Sequence, residues 1–401
     1  MTLEDWIVKQ RRHAAAMMRQ AISPATVKTR SHFFQTIIPR PGAVVASPVL
    51  ASYDPEPDYF FHWYRDSAVV MEALFAVQNE IPDAAHLFAD FVHFSTDLAA
   101  LDGREAPPLQ AQPQFTQFLR HTMADAHGAA IAAETRVNPD GTLDVSDWPR
   151  PQYDGPALRA LALLRWGVPD HHAASLLRSD LAFVLHYASQ PCFGIWEEED
   201  GLHYYVLRVS AAALEKGAAW LAARGEQDFA VRCGAKAQKL LHDLEDWWLA
   251  DAGFVRAHIL STRRAEKELD VSVILAANHA GAAPDEKLKA TLAKLEGLFG
   301  DLYPINKGRA APALGRYGDD TYYGGGAWYA ATLAAAEFCY RAGDRQRGDA
   351  YLETVRAFTP ESGDMSEQFD RTSGAQTSAR HLAWSYAAFI TAVSARRAAS
   401  G

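Results

Sequence analysis

Apolar residues recur at every third or fourth position along most of the chain, which is the spacing of one face of an α-helix. Leu3, Trp6, Ile7, Ala14 and Met18 follow this spacing and predict an amphipathic helix at the start of the sequence. The same spacing predicts helices at 67–78, 84–100, 155–166, 171–188, 203–223, 227–249, 269–280, 285–298, 326–342, 345–358 and 377–397, with one more at 114–134. No segment is a convincing strand, so the pattern favours an all-α protein over an α/β fold.

The links between these helices alternate in length. Short links fall near 79–83, 167–169, 224–226, 281–284 and 342–344. Long links fall near 21–65, 101–154, 189–202, 250–268, 299–325 and 359–376, with the helix at 114–134 treated as an insertion. Alternate short and long links are typical of αα-hairpins whose long loops meet at one end. About six hairpins closed into a ring predict a two-layer helical barrel, whereas an open solenoid would need a fixed-length repeat.

Amino-acid composition and net charge limit the binding partners and the cellular location that we expect. Of 401 residues, 49% are hydrophobic and 22% charged, which is typical of a well-packed globular protein, and we expect one domain over residues 1–401. The net charge of −10 argues against nucleic acid or an anionic membrane as the main partner. No run of 18 apolar residues predicts a membrane span. Three widely spaced cysteines and a polar N-terminus favour a cytoplasmic location, although a mature exported form would look the same.

One acidic run stands out, at residues 196–201, with the sequence Trp-Glu-Glu-Glu-Asp-Gly. Carboxylates crowded into a turn repel one another, and the apolar residues 192–196 would half-bury them. Both effects favour the protonated form that a general acid needs near neutral pH. A solvated acidic loop is the alternative interpretation, and it is the commoner one for an isolated acidic run.

Five of the six long loops end in mixtures of Trp, Tyr, Arg and Asp or Glu. Any single acid could be a helix cap, and Asp66 and Asp154 stand where N-caps belong. Together, however, stacking aromatic rings with guanidinium and carboxylate groups describe a carbohydrate pocket. The triple glycine at 324–326 is no phosphate loop, and His171 and His172 lack zinc-ligand spacing, so we expect no cofactor and no metal.

Several segments resemble motifs of glycoside hydrolase family 15, the glucoamylases. They are Trp-Tyr-Arg-Asp at 63–66, Arg-Pro-Gln-Tyr-Asp-Gly-Pro-Ala-Leu-Arg at 150–159, Trp-Glu-Glu at 196–198, Gly-Arg-Tyr at 315–317, Ser-Glu-Gln at 366–368, Ser-Ala-Arg at 378–380 and Trp-Ser-Tyr at 384–386. The segments follow the family order from about residue 50 to residue 395. The resemblance therefore covers most of the chain.

This resemblance implies an (α/α)6 barrel that binds the non-reducing end of an α-glucan. It implies that Glu197 is the general acid and Glu367 the general base of an inverting, exo-acting enzyme that releases β-D-glucose. Ser366 and Gln368 surround Glu367 with polar groups, which favours its ionised form. The oligosaccharide substrate is the one partner the sequence predicts, and the oligomeric state stays open.

The resemblance also implies a set of substrate-binding residues. Arg65 and Asp66 would hold the 4- and 6-hydroxyls of the terminal glucose, and Arg316 with Glu198 would hold further hydroxyls. The complete predicted set is Tyr59, Trp63, Arg65, Asp66, Trp148, Arg150, Asp154, Trp196, Glu198, Arg316, Asp320, Tyr322 and Trp328.

Some features depart from the family pattern. Gly194 stands where many glucoamylases have an acid, and glycines at 324–326 stand where asparagines are frequent. We expect neither a starch-binding module nor an N-terminal β-sandwich, which favours short oligosaccharides over granular starch. An α-1,6-glucosidase or an α,α-trehalase on the same scaffold is the alternative, as is a non-catalytic sugar-binding barrel. The presence of both Glu197 and Glu367 argues against the last.

Overall fold

Six helices form a closed inner ring in the computed structural model, which describes residues 1–53, 55–260 and 267–399. Each inner helix packs on the next, and the last returns to the first. In ring order they are α2 (Tyr64–Ala76), α4 (Asp154–Arg165), α6 (Tyr204–Ala222), α8 (Ser272–Ala280), α10 (Tyr329–Arg341) and α12 (Ala383–Ala398).

The other α-helices of the described residues form an outer layer. They are α1 (Leu3–Ala21), α3 (Ala84–Leu98), α5 (His171–Tyr187), α7 (Gln227–Glu245), α9 (Glu286–Leu302) and α11 (Arg345–Phe358). Outer helices pack on inner ones, as α1 does on α12, α7 on α6 and α11 on α10. One apolar core contains residues from both layers, and a smaller one lies beneath the loop that follows α3.

The sequences of the two layers explain their positions. In α10, residues on every side of the helix are buried, among them the small Ala330, Ala331, Ala334 and Ala335, which let neighbouring helices approach. Helix α7 buries a single stripe, at residues 230, 233, 237, 240 and 244, and exposes its remaining faces. A helix that is apolar all round belongs inside, and an amphipathic one belongs outside.

The predicted alternation of links is confirmed. Short links close the hairpins α2–α3, α4–α5, α6–α7, α8–α9 and α10–α11, whereas long loops lead into the N-terminus of each inner helix. Part of the fourth long loop, residues 261–266, lies outside the described residues. The fold is therefore the (α/α)6 barrel that the sequence predicts, with its long loops at the N-terminal ends of the inner helices.

Short antiparallel strands stiffen these loops. They are β1 (Lys28–Arg30), β2 (Gln35–Ile37), β3 (His62–Trp63), β4 (Arg136–Val137), β5 (Cys192–Phe193), β6 (Asp200–His203), β7 (Trp248–Leu249), β8 (Phe254–Val255), β9 (His258–Leu260), β10 (Ala327–Trp328), β11 (Gln368–Phe369) and β12 (Gln376–Thr377). The pairs are β1–β2, β3–β4 and β7–β8, and the three-stranded sheets are β5–β6–β9 and β10–β11–β12. The sequence pattern does not predict them, because most are two or three residues long.

Helix caps differ between the layers. Outer helices α5, α9 and α11 begin with aspartate caps, at Asp170, Asp285 and Asp344. None of the six inner helices in the described residues has a side-chain cap. The alternative role of Asp66 and Asp154 as N-caps is therefore wrong, because both lie inside the first turn of their helices.

Some helix predictions need correction. The predicted helix at 114–134 is replaced by two short 3-10 segments, Pro113–Phe118 and Gly128–Ala133. Between them the backbone bridges to other parts of the same long loop, at Leu119 with Ser146 and at Asp102 with His127, and these pairings take the place of helical hydrogen bonds. Helix α12 begins at Ala383 rather than near 377, because the preceding residues form strand β12 and left-handed turns.

No helix among the described residues has the length and apolar character that crossing a membrane requires.

Candidate active site

A cavity of about 360 Å³ lies where five of the long loops meet the inner helices. Twelve of the predicted site residues line it: Tyr59, Trp63, Arg65, Asp66, Trp148, Trp196, Glu197, Glu198, Arg316, Tyr322, Trp328 and Glu367. Both predicted catalytic residues are among them. The predicted Arg150, Asp154 and Asp320 do not line the cavity.

Glu197 lies in the turn between strands β5 and β6, whose pairing of Cys192 with Gly201 fixes the turn. Its Oε1 accepts hydrogen bonds from Trp63 Nε1 at 2.9 Å and from Arg65 Nη2 at 2.7 Å. Its Oε2 accepts a hydrogen bond from Trp148 Nε1 at 2.5 Å. Three N–H donors from two other loops therefore hold this carboxyl group at the cavity wall.

Glu198 is paired with cations rather than crowded by like charges. Arg316 Nη2 lies 2.8 Å from its Oε1, and Lys267 Nζ lies 2.6 Å from its Oε2. The Tyr317 hydroxyl donates to the same carboxylate. Burial alone would raise the pKa of Glu198, but Arg316, Lys267 and Tyr317 together lower it below its ordinary value.

The expectation that the acidic run repels itself is therefore wrong. Lys267 also lies 2.8 Å from Glu199 Oε1, and Arg65 lies 2.7 Å from Glu197 Oε1. Each of the three glutamates has a cation at hydrogen-bond distance. The cations come from other loops, which is why the sequence of the run alone does not indicate them.

Glu367 enters the cavity from the sixth long loop, one residue before strand β11. It is 3% exposed, and its Oε2 accepts a hydrogen bond from the Ser378 hydroxyl. Burial raises the pKa of Glu367 to about 7, against the lowering effects of Ser378 and Arg316. The expectation that polar neighbours keep this group ionised needs correction, because burial outweighs them.

Two tyrosines lie beside this carboxyl group. The hydroxyls of Tyr59 and Tyr322 are 2.6 Å apart, and both residues line the cavity with Glu367. Burial raises the pKa of Tyr59 well above its ordinary value, and the charge of Glu367 adds to that shift. Both tyrosines therefore stay protonated and can donate hydrogen bonds beside Glu367.

Arg65 and Asp66 come from the first turn of α2. Arg65 Nη1 donates to Gln152 Oε1 at 3.1 Å and to Asp154 Oδ2 at 3.2 Å. Asp66 Oδ2 lies 3.5 Å from Arg65 Nε, and burial raises the pKa of Asp66 to about 6. Asp154 is 1% exposed and lies behind Arg65, so its contact is with the arginine and not with the cavity.

Arg316 has an equivalent support. Asp320 holds its guanidinium through two hydrogen bonds, of 2.7 and 2.5 Å. The same guanidinium lies over the rings of Trp196 and Trp328, with centroids 5.4 Å away in each case. Asp320 therefore orients Arg316 from behind, in the way that Asp154 orients Arg65.

Arg150 has a structural contact set instead of a place in the cavity. It donates to Glu134 Oε2 at 2.7 Å, to Asp144 Oδ2 at 3.2 Å and to the carbonyl of Trp148 at 2.8 Å. The hydrogen bond to the Trp148 carbonyl fixes the backbone of Trp148, whose indole N–H donates to Glu197. Arg150 therefore belongs to the predicted motif at 150–159, but its side chain packs inside the loop and does not reach the cavity.

The sequence did not predict several residues of the site. Trp384, in the first turn of α12, lines the cavity and stacks on Trp196 with an interplanar angle of 24°. Asp270 accepts a hydrogen bond from Trp196 Nε1 at 2.8 Å, and burial raises its pKa to about 7. Arg136 lies 3.6 Å from the ring centre of Trp148. Trp384 opens the Trp-Ser-Tyr segment at 384–386, and this motif was the signal that could have indicated it. The contacts of Asp270 and Arg136 with the indoles form only in the folded chain.

The glycine departures have structural causes. A Cβ atom on Gly194 would lie 2.5 Å from His203 Nδ1, so the histidine ring occupies the space that an acidic side chain would need. His203 Nε2 lies 3.1 Å from the carbonyl oxygen of Cys192. Gly325 has φ +64°, and a Cβ there would lie 2.0 Å from the carbonyl oxygen of Asp320. Both positions require glycine in this backbone.

Comparison with known proteins shows the family to which the chain belongs. The model of the family described as "Glycosyl hydrolases family 15" matches residues 27–349 and 344–394. Glucoamylase 1 of Rhizopus oryzae is 27% identical, and the alignment covers 99% of this chain and 72% of that protein. The probable glucoamylase of Schizosaccharomyces pombe is 26% identical over 100% of this chain and 93% of that protein.

A solved structure shares the fold. The glycoside hydrolase family 15 glucoamylase from Hypocrea jecorina matches with a TM-score of 0.83 and 25% identity, over 99% of this chain and 73% of that chain. The family model alone covers well over half of the residues. The chain therefore belongs to glycosyl hydrolase family 15 and is a glycoside hydrolase.

Proposed function

We propose that this glycoside hydrolase is an inverting, exo-acting α-glucosidase of the glucoamylase type, which releases β-D-glucose from the non-reducing ends of short α-glucans. The observation that carries the proposal is that Glu197 and Glu367 reach one aromatic-walled cavity from two different loops. Similar proteins of Rhizopus oryzae and Schizosaccharomyces pombe are named glucoamylase 1 and probable glucoamylase, which supports the same activity.

Glu197 is the proposed general acid. Its proton passes to the glycosidic oxygen as the bond from that oxygen to the anomeric carbon breaks, so the departing sugar leaves as a neutral alcohol. Arg65 Nη2 lies 2.7 Å from Glu197 Oε1, and together with the indole N–H groups of Trp63 and Trp148 it holds this carboxyl group at the cavity wall.

Glu367 is the proposed general base. It takes a proton from a water molecule whose oxygen attacks the anomeric carbon on the face opposite the leaving group, so the configuration inverts. Its burial at 3% exposure strengthens the proton affinity that a base needs. The hydroxyls of Tyr59 and Tyr322, which are 2.6 Å apart on the same side of the cavity, are suited to orient that water.

The remaining polar residues are proposed to hold the sugar. Arg65 and Asp66 offer adjacent donor and acceptor groups at the start of α2. Arg316 and Glu198 form the matching pair on the opposite loops, 2.8 Å apart. Alternating donors and acceptors suit sugar hydroxyls, which do both, and a cavity of about 360 Å³ suits a ligand of one or two sugar rings.

A substrate panel tests this proposal. We expect glucose from maltose, with slower release from isomaltose and none from α,α-trehalose. With maltotriose labelled at its reducing end, the first products should be free unlabelled glucose and labelled maltose. Absence of turnover on all of these α-glucosides would overturn the activity. Labelled glucose as the first product would overturn attack at the non-reducing end.

A further inference from the structure

Lys267, from the fourth long loop, contacts two consecutive carboxylates of the acidic run. Its Nζ lies 2.6 Å from Glu198 Oε2 and 2.8 Å from Glu199 Oε1. The residue is 6% exposed, so water competes little for these contacts. The same ammonium group lies 4.5 Å from the ring centre of Tyr317. Lys267 thus ties the loop that carries the proposed acid to a different part of the barrel mouth.

The backbone next to these carboxylates is strained. Glu197 has φ +62°, in the left-handed region that residues with a Cβ atom rarely adopt. Such a conformation persists only where the surrounding contacts hold it. On the N-terminal side, the Glu197 N–H donates to the Gly194 carbonyl at 3.0 Å. On the C-terminal side, Lys267 holds the next two side chains.

We propose that Lys267 is a positioning residue: by holding Glu198 and Glu199 together, it keeps Glu197 in its left-handed conformation at the cavity wall. This inference rests on the proposed function, because the roles of Glu197 and Glu198 come from it. Lys267 itself does not line the cavity and acts through the two glutamates.

The other charged and polar groups around Glu198 determine how strongly the loss of Lys267 affects this carboxylate. Arg316 lies 2.8 Å away, and the Tyr317 hydroxyl donates at 2.6 Å; Glu197 and Glu199 are its chain neighbours. Arg316 is shared with Asp320, which accepts two of its hydrogen bonds. Removal of Lys267 therefore leaves Glu198 with one shared cation, so the carboxylate becomes easier to protonate.

The experiment compares Lys267→Met with Lys267→Arg and the wild-type enzyme. For K267M we expect kcat on maltose to fall about 10- to 100-fold, because a displacement of about 1 Å of a catalytic group has effects of this size. We also expect KM to change less than kcat, because Lys267 acts on the position of the proposed acid and does not line the cavity. K267R, which retains the charge, should recover most of kcat.

Lys239→Met is the matched control. Lys239 pairs with Asp243 one turn along the outer helix α7 and is 65% exposed, so its loss removes a lysine ion pair far from the cavity. We expect this variant to keep the wild-type kcat and KM. A K267M enzyme with unchanged kcat, even if less heat-stable, would overturn the proposal.

A crystal structure of K267M tests the positioning role of Lys267 independently of enzyme activity. We expect the Glu197 backbone to leave the left-handed region and the carboxylates of Glu198 and Glu199 to move apart. Retention of both features without the lysine would overturn the proposal. A wild-type enzyme that hydrolyses no α-glucoside would overturn the proposed function instead, and this structural comparison would still test Lys267.

Discussion

The indole N–H of Trp196 donates a hydrogen bond of 2.8 Å to Asp270 Oδ2, behind the wall of the cavity. Asp270 is 2% exposed and also accepts from the Ser272 backbone N–H at 2.6 Å. Burial raises the pKa of Asp270 to about 7, despite these donors. This hydrogen bond therefore holds the Trp196 ring, which forms part of the cavity wall, against the start of inner helix α8.

Asp270→Ala should lower both stability and activity. The change leaves the Trp196 and Ser272 N–H groups buried without this acceptor, and we expect the free energy of unfolding to fall by about 2 kcal/mol. We expect kcat/KM on maltose to fall as well, because the indole is free to turn. Urea unfolding and steady-state kinetics measure the two effects. Asp251→Ala, in an exposed turn, is the control, and an equal effect there would contradict this assignment.

Glu197→Gln and Glu367→Gln should each reduce kcat by about 10²–10⁴-fold, because each removes one proton transfer from the transition state. The circular dichroism spectrum should stay that of the wild type, since glutamine preserves the side-chain volume. Glu353→Gln, on the exposed face of α11, should retain full activity. Undiminished turnover in either active-site variant would remove that residue from its proposed role.

Glu367 should make stability depend on pH. Burial raises its pKa from the ordinary value of 4.5 to about 7, so the folded protein binds this proton more tightly than the unfolded chain does. The stabilising contribution is complete below pH 4.5 and is lost as the pH rises through about 7. Between those limits the unfolding free energy of Glu367→Gln should therefore rise relative to that of the wild type by about 3 kcal/mol.

Urea unfolding of both proteins at several pH values from 4.5 to 8 measures this difference. Only its change with pH counts, because the amide alters hydrogen bonds equally at every pH. Glu353→Gln, on the exposed face of α11, is the control measured in parallel. A flat difference for Glu367→Gln would contradict the assigned effect of burial.

Gly194 and His203 should behave as a coupled pair. In Gly194→Ala the new methyl group would lie 2.5 Å from His203 Nδ1, and such overpacking costs about 1–3 kcal/mol of stability. His203→Ala opens space at the same point. We expect the double variant to lose less stability than the sum of the single variants, in a double-mutant cycle measured by urea unfolding. Additive losses would show that the ring does not occupy this space.

The barrel could be predicted from the sequence because two simple patterns determine it. Helical periodicity marks the helices, and link length separates the two ends. The failed helix at 114–134 shows the limit of periodicity, since Gly128 and backbone bridges such as Leu119 to Ser146 decide that segment. These pairings join residues far apart in sequence, so no local pattern indicates them.

The sequence could predict which residues line the cavity, but it could not predict their burial or their ion-pair partners. The motifs indicated Arg65, Glu197 and Glu367, and all three line the cavity. The burial of Glu367 and the pairing of the acidic run with Lys267 arise from loops that meet only in the folded chain. Ionisation depends on these tertiary contacts, which explains why the expected charge states needed correction.

The anomer released by hydrolysis shows whether Glu197 and Glu367 act on opposite faces of one sugar. Proton NMR of the anomeric region, recorded in the first minutes of maltose hydrolysis, follows each anomer of the released glucose before mutarotation brings the anomers to equilibrium. We expect the β-anomer to form first from the non-reducing glucose unit. Initial formation of the α-anomer from that unit would contradict an inverting mechanism.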